Sequence, residues 1–505
     1  MRLRESRKEE PGQPPEPARN ARREGIFSAR RYGSSDPPVN PQAPPVWGDA
    51  RLPRTLYHLT PMRILLSALG SSGDINPFLA IALALRARAH EPILLLDPHH
   101  AARAAALGLE TRTLSTGIDP DAARNHPDFL HPTRGTGVFL RDMLIPCLEP
   151  LYLAARDILA TEKPDIAIMH HVCFSIPWAC EQAGVPWGMA ATAPASWMSF
   201  ADPNRYPMMP DRDAYRPWLL RPGNALGRWA TAMMVDPRVN RLRRKLGLPA
   251  QRHIMLEQMF SGVVNLGLWS PNFRPPAADD HPRSRITGWP MLETDPAGMP
   301  TDEQVRLEAF LADGPPPILI TFGSSIGRTD ARAMQLIEQT LPLLRERILL
   351  VAPSDAARRL SKDPASVCTV SYAPYASIIP RCSLILHHAG MGTTAQTLRS
   401  GIPAVLLPHA HDQFDNARRA RMLGCARTID AHRATSDRLA EILNTTLGDE
   451  VMRKRCRDLA DRFSREGGAA ATAAALEEVV GARKDASQAA TLGAPPRAHA
   501  TTASH

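Results

Sequence analysis

His387–Asn416 reads HHAGMGTTAQTLRSGIPAVLLPHAHDQFDN. An apolar run, CSLIL, ends at His387. A glycine-rich turn leads into a helix-like stretch, and a second apolar run, IPAVLLPH, empties into His-Ala-His-Asp-Gln. Short apolar strands that alternate with helices make a parallel sheet. A helix that starts directly after a strand turns unpaired N–H groups and the positive end of its dipole toward the strand end, where an anion such as a phosphate can bind. The alternative is a metal site built from His387, His388, His409, His411 and Asp412. Neighbouring strand residues point to opposite faces, so at most part of that set can converge.

The same alternation extends in both directions. Upstream lie PILITFGSS, ERILLVAP and SVCTVSYAP, and downstream CARTID, giving one αβ series. An earlier series has strands at Arg63–Leu69, Pro92–Asp97 and Asp165–Met169, with a helix over Pro77–Arg88. Two series imply an α/β protein with two Rossmann-like parallel-sheet lobes facing a cleft. The Pro-rich stretch RITGWPMLETDPAGMPTD places the boundary near residue 290. The domains expected are a first lobe at 62–290 and a second at 291–483 with a closing helix. Residues 1–61, rich in Pro and Arg, and the tail 484–505 read as disordered. Met62 is a natural beginning for the first strand and a candidate initiation residue.

Composition narrows the function. Hydrophobic residues make up 44% of the chain, and no apolar run is long enough to span a bilayer. The formal charge is +9, but the arginines are spread out with no aromatic-interleaved basic cluster. That pattern argues against nucleic acid and for small anionic ligands or membrane headgroups. Seven scattered cysteines without C-x-x-C signal neither a disulfide framework nor a zinc ribbon, and fit a reducing cytoplasm. The first lobe breaks its alternation between about residues 194 and 260, where SWMSF, YPMMPD, ATAMMVD and HIMLEQMF concentrate Met, Trp and Pro. These residues are either core or a malleable apolar pocket.

The first βα turn, GSSGDINP (70–77), occupies the ligand-binding position of such a fold. It lacks G-x-G-x-x-G, and Asp74 would repel a pyrophosphate, so it does not read as a nicotinamide site. Asp74 suits either a helix N-cap or a general base. Asp119-Pro-Asp121 and Asp211-Arg-Asp213 read as turn chemistry, not as metal-binding D-x-D pairs.

HHAGMGTT followed by SGIPAVLLPHAHDQFDNA resembles the donor-sugar box of glycosyltransferase family 1, the inverting GT-B enzymes that use nucleotide-diphosphate sugars. The resemblance spans about residues 62–470. It implies that His388, Gly390, Gly392 and Thr393 contact the diphosphate, and that Asp412, Gln413 and Asn416 hold the sugar. It implies Ser324 of TFGSS beside the phosphates and Tyr372 of SYAPY in the base-stacking loop, with Tyr375 an alternative. Asp74 matches the family's base position in Gly-Asp-x-x-Pro, flanked by the acceptor-loop residues Gly73 and Asn76. His170 stands where plant relatives carry an Asp, so an inverted Asp74–His170 pair is expected. GSSGDINPF, RRKLGLP, SPNF, TGWP and PHAHDQFDNA resemble in particular the bacterial rhamnosyltransferases that move L-rhamnose from dTDP-rhamnose to a hydroxylated fatty-acid dimer, although relatives of those enzymes read His-Pro-Gly-Gly-x-Gly in the donor box. The function implied is transfer of a rhamnosyl or glucosyl group from a UDP- or dTDP-sugar to a hydroxyl of a hydrophobic acceptor such as a hydroxy fatty acid lipid. The scheme needs neither metal nor other cofactor. An acyltransferase partner chain and peripheral association with the inner membrane accompany it. A sugar-nucleotide epimerase and a non-catalytic partner subunit are the alternatives.

Overall fold

The computed structural model describes residues 60–117, 126–293, 298–323, 331–352 and 366–491. Two parallel sheets organise it. The first contains β1 (Arg63–Ser67), β2 (Glu91–Leu96), β3 (Glu110–Thr113), β4 (Ile166–His170), β5 (Trp187–Ala191), β6 (Val264–Gly267) and β7 (Ser284–Ile286), in the order β3-β2-β1-β4-β5-β6-β7. The second contains β8 (Ile318–Thr321), β9 (Ile348–Val351), β10 (Val367–Val370), β11 (Leu384–His387), β12 (Ala404–Leu406) and β13 (Ala426–Thr428), ordered β10-β9-β8-β11-β12-β13. Strands such as RILLS, IAIMH and LILH are almost wholly buried, as expected for sheets covered on both faces. All six second-lobe strands expected from the sequence are present. In the first lobe β3, β5, β6 and β7 are short and were not anticipated.

In each sheet the strand order reverses once, between β1 and β4 and between β8 and β11. Open α/β sheets bind ligands outside the carboxyl ends of the strands at such a reversal. The loops that follow these four strands begin at Ala68, His171, Phe322 and His388, so the topology concentrates both switch points on the residues singled out above.

Five helices bear on the site: α1 (Ser72–Ala87), α2 (Pro217–Lys245), α3 (Met391–Ser400), α4 (Gln413–Met422) and α5 (Gly468–Thr491). Helix α1 begins five residues before the expected start at Pro77. The proline lies inside the helix, and Ser71 is its N-cap. Helix α5 returns to the first lobe, where Ala473, Leu476 and Val480 share a core with Ile75, Phe78 and Leu79 of α1. Its Glu477 accepts hydrogen bonds from Arg88 (2.7 Å) and reaches His90 at 2.8 Å. The helix runs to Thr491, so residues 484–491, expected in the tail, are helical. The expected extension at 1–61 falls almost wholly outside the described residues, as does the tail beyond 491.

Helix α2 is built against propensity. Pro222, Gly223 and Gly227 lie in its N-terminal half, and an interior proline costs about 3 kcal/mol and each glycine about 1 kcal/mol relative to alanine. No described side chain of that half is buried. The C-terminal half anchors it through Val235, Val239 and Arg243, the last with its guanidinium 4.8 Å from the Trp178 ring centroid.

Candidate active site

The β1–α1 turn supplies the carboxylate. Asp74 is the third residue of α1, and its Oδ2 accepts from the Ser71 backbone N–H (2.9 Å) and the Ser71 hydroxyl (3.1 Å). The N-cap reading is therefore corrected by three residues: Ser71 caps, and Asp74 reaches back to it as a capping box does. The other oxygen, Oδ1, accepts from the Thr192 hydroxyl at 3.2 Å. Thr192 Oγ1 also lies 3.2 Å from His170 Nε2, while His170 Nδ1 lies 3.0 Å from the Leu69 carbonyl. His170 Nε2 itself is 3.8 Å from Asp74 Oδ1. The expected dyad is thus a chain of three groups with a threonine in the middle. Burial pushes His170 down to about 4 and His171 well below the usual imidazole value, so His170 is neutral at pH 7. With Nδ1–H committed to the Leu69 carbonyl, its Nε2 is an acceptor.

The β11–α3 turn supplies open backbone amides. Thr394 N bonds Gly390 O (2.9 Å), which leaves the amides of Met391, Gly392 and Thr393 ahead of the first helical bond. The cap residue is Gly390, and no side chain covers those donors. His388 sits above them, wedged between two glycines. A Cβ at Gly323 would fall 2.7 Å from its Cε1, and one at Gly390 would fall 2.3 Å from its Nε2. Gly323 is also left-handed at φ +66°, as is the non-glycine Ala389 at φ +65°. Burial, aided by His409, pushes His388 down to about 3. The imidazole is therefore neutral and offers an N–H as a hydrogen-bond donor.

The metal reading separates along the strand. His388, His411 and Asp412 line the cleft, whereas His387 and His409 are buried outside its lining. Among the described residues no group of three or more His, Cys, Asp or Glu side chains is placed to hold a metal.

Asp412 and Gln413 open α4. Burial raises Asp412 to about 6, opposed by a hydrogen bond from Asn416 Nδ2 (2.7 Å) and reinforced by the Asp74 charge across the gap. Gln413 Oε1 accepts from the amides of His409 (2.8 Å) and Ala410 (3.1 Å). Its oxygen is engaged, so the group Gln413 has left to offer the cleft is its NH2. Asn416 does not line the cleft. It is buried and joins Asp412 Oδ2 to the Ala389 carbonyl (3.0 Å). From behind the lining it ties the start of α4 to the turn before α3.

These groups share one cavity of about 1990 Å³ between the sheets. Gly73, Asp74, Asn76 and His170 line it from the first lobe, and Tyr372, His388, Gly390, Gly392, Thr393, Asp412 and Gln413 from the second. The lobes touch at glycine: a Cβ on Gly392 would lie 3.4 Å from Gly73 Cα. Tyr372 and Tyr375 are both half-buried and both line the cavity; the Tyr375 hydroxyl is fixed by a 2.5 Å hydrogen bond with Thr321 and pushed up to about 12 by burial. Ser324 lies outside the described residues, as do Asp119 and Asp121.

Residues 336–479 match the C-terminal domain of the family described as erythromycin biosynthesis protein CIII-like. An O-mycaminosyltylonolide 6-deoxyallosyltransferase of Streptomyces fradiae is 29% identical over 430 residues, 83% of this chain and 97% of its own. A sterol 3-β-glucosyltransferase of Arabidopsis thaliana is 27% identical over 369 residues, 70% of this chain and 57% of its own. In fold, the glycosyltransferase VinC, solved in complex with dTDP, superposes with a TM-score of 0.59 at 17% identity, covering 83% of this chain and 99% of that one. The chain is a glycosyltransferase of the GT-B fold.

This glycosyltransferase has a second polar feature that sequence reading missed. Arg419 of α4 bonds Asp415 (2.6 Å) on its own helix and Asp202 (2.8 Å) of the first lobe, and Asp415 accepts from the Arg205 amide (2.8 Å). Arg418 bonds the carbonyls of Arg212 (2.9 Å) and Asp213 (2.6 Å), and Arg421 bonds Asp213 (2.7 Å) and Asp211 (3.1 Å). Asp211 and Asp213 are thus partners of the opposite lobe rather than turn residues. The network fastens the helix that begins with Asp412 and Gln413 to the 202–213 loop. The only signal for it was the cluster Arg418, Arg419, Arg421 directly after the donor box.

Proposed function

We propose that the glycosyltransferase moves a hexosyl group, rhamnosyl or glucosyl, from a dTDP- or UDP-sugar to a hydroxyl of a hydrophobic acceptor, with inversion at the anomeric carbon. The observation that carries this is the placement of Asp74 and the open amides of α3 on facing walls of one cavity, each at the switch point of its sheet. The acceptor oxygen attacks the anomeric carbon, the bond from that carbon to the diphosphate oxygen breaks with its electron pair leaving on the diphosphate, and the acceptor proton passes to Asp74. The amides of Met391, Gly392 and Thr393, the helix dipole and the His388 N–H meet the charge that develops on the leaving group. Because this donor set supplies oxyanion contacts by itself, the reaction runs without an added metal.

Thr192 has one proton for two acceptors, the Asp74 carboxylate and His170 Nε2. While Asp74 is ionised the hydroxyl serves it, and Nε2 goes unserved. Once the carboxyl is protonated its Oδ1 donates to Thr192, whose own proton swings to His170. All groups of the chain are then satisfied, so the arrangement favours the state that follows proton transfer.

The acceptor end of the cavity is lined by Phe139, Leu140, Met143, Met198, Met255 and Met259, an adaptable apolar surface suited to a lipid chain or fused rings. The sterol acceptor in one relative's name and the 6-deoxyhexose in another's support an apolar acceptor and a hexosyl donor. The test is nucleotide release from a panel of dTDP- and UDP-sugars, with and without hydroxy fatty acid and sterol acceptors, with chelator present. Acceptor-dependent release is expected. Conversion of the donor without acceptor into an epimeric sugar or sugar nucleotide would instead mark an epimerase, and no release with any pair would overturn the reading.

A further inference from the structure

The Met- and Trp-rich segment divides three ways. Trp197 is core, 4.6 Å from the Trp269 ring, and Met198, Met255 and Met259 line the cleft. The rest is on the surface, which neither reading of the sequence anticipated. On α2 Trp218, Leu226, Trp229 and Met233 are 62, 64, 59 and 58% exposed. At about 100° per residue their spacing places all four within about 80° of arc, a single stripe. Among the described residues of this helix's N-terminal half nothing from the protein covers it.

Its charge is one-sided. Over 217–245 the sequence has six arginines and one lysine against the single acid Asp236, which is engaged by the amides of His253 (2.8 Å) and Ile254 (3.2 Å); neighbouring elements pair Arg228 with Glu257 and Lys245 with Glu149 (2.6 Å), and Arg243 is buried. Arg238, Arg241 and Arg244 are exposed, and Arg244, eleven residues beyond Met233, falls on the same arc. The stripe therefore passes from tryptophan and leucine to arginine along one helix. Thr231 of the same helix lines the cleft beside the acceptor end.

We infer that α2 docks this glycosyltransferase on an anionic lipid bilayer, with Trp218, Leu226, Trp229 and Met233 in the interface and the arginines of its C-terminal half on the headgroups. The inference rests on the apolar-acceptor reading and deepens it, because the acceptor would then enter from the membrane along α2. Tryptophan favours the boundary between headgroup and acyl chain, and a cationic helix with one apolar stripe lies in that plane. A protein partner would need no such charge excess. The dense basic end opposite a free apolar stripe is what selects lipid as the occupant.

The experiment is co-sedimentation of the full chain with vesicles of phosphatidylcholine alone and of phosphatidylcholine with phosphatidylglycerol, followed also by tryptophan fluorescence. Binding to the anionic vesicles is expected, with a blue shift and with weakening at high salt. The triple variant Trp218→Gln, Trp229→Gln, Met233→Gln should lose about tenfold or more in partitioning, while transfer to a short-chain, water-soluble hydroxyl acceptor stays unchanged. Arg241→Gln with Arg244→Gln should remove the preference for anionic vesicles. The inference is overturned if the full chain ignores both vesicle types, if the triple variant binds as well as the parent, or if the stripe instead drives self-association that the same substitutions abolish. Transfer to the soluble acceptor without vesicle binding would sink the docking alone and leave the apolar-acceptor reading standing.

Discussion

The two walls of the cleft differ in how firmly their groups are held. On the donor wall His388 is caught between Gly323 and Gly390, Gln413 has its oxygen tied by two amides, and Asn416 joins Asp412 to the Ala389 carbonyl. On the acceptor wall the lining is methionine and phenylalanine, and the adjoining helix carries proline and glycine where helices tolerate them least. A site for charged groups is costly when a polar atom is misplaced, whereas an apolar site tolerates repacking. The donor wall is therefore a preset mould and the acceptor wall an adaptable one, with Asp74 between them held by Ser71 and Thr192.

That contrast can be broken most directly at Asp74. Asp74→Asn should lower kcat about 10²–10⁴-fold while nucleotide affinity, measured by calorimetry, stays near the parent's. An equal loss in both would mean that Asp74 belongs to the donor wall. Next in size is the seam. Arg419→Met removes the cation that Asp415 and Asp202 share, but Asp202 keeps Arg274 (3.2 Å) and Asp415 keeps Arg418 (3.8 Å), so the cost should fall below the full buried-pair penalty, at about 2–3 kcal/mol, readable in urea denaturation. A change under about 1 kcal/mol would show the seam to be dispensable.

Asp412 tests the mould through pH. Its folded value of about 6 lies above the ordinary carboxyl value, so the fold favours its neutral form. The stability it contributes is full in acid and is lost as pH rises through about 6. Donor binding needs the ionised acceptor and runs the opposite way, weakening as pH falls through the same point. Asp412→Asn should flatten both profiles, raising stability at pH 8 by about 1–3 kcal/mol while weakening sugar-nucleotide binding. Parallel changes in stability and affinity would contradict the assignment. The smallest effect belongs to the adaptable wall: Met255→Leu should alter kcat/KM for a bulky acceptor by about tenfold or less, within the roughly 1.5 kcal/mol of a volume-conserving swap. A larger loss would mean that this wall, too, is preset.

The same contrast decides what was legible in the sequence. The donor box is contiguous, and its backbone demand leaves a residue signature, a glycine that both makes room for the His388 imidazole and opens an uncapped helix, while Gly323 on the other side of the ring comes from the separate TFGSS turn. The second sheet followed whole from its apolar runs, whereas the first was read only at β1, β2 and β4, because β3, β5, β6 and β7 are short runs without an apolar stretch that stands alone. The start of α1 was misplaced because proline favours first turns, whereas Pro77 is tolerated within this one. Thr192 could not be found, since a threonine 118 residues from Asp74 acts only through tertiary placement. The arginines of α4 were read as net charge because an ion pair across lobes has no local pattern. The side of α2 on which Trp218 and Trp229 lie could not be read from richness in tryptophan, because composition carries no direction.

The contact between Gly73 and Gly392 has a mechanical meaning. The lobes meet there at two residues without side chains, and a methyl on Gly392 would already stand in van der Waals contact with Gly73, 3.4 Å from its Cα. The thickness of two peptide chains then acts as the stop of a caliper, fixing how near the jaw carrying Asp74 can come to the jaw carrying the open amides of α3. Any bulkier residue at position 392 would be a shim, widening the gauge by its own girth and retuning which pairs of molecules the jaws can bring together.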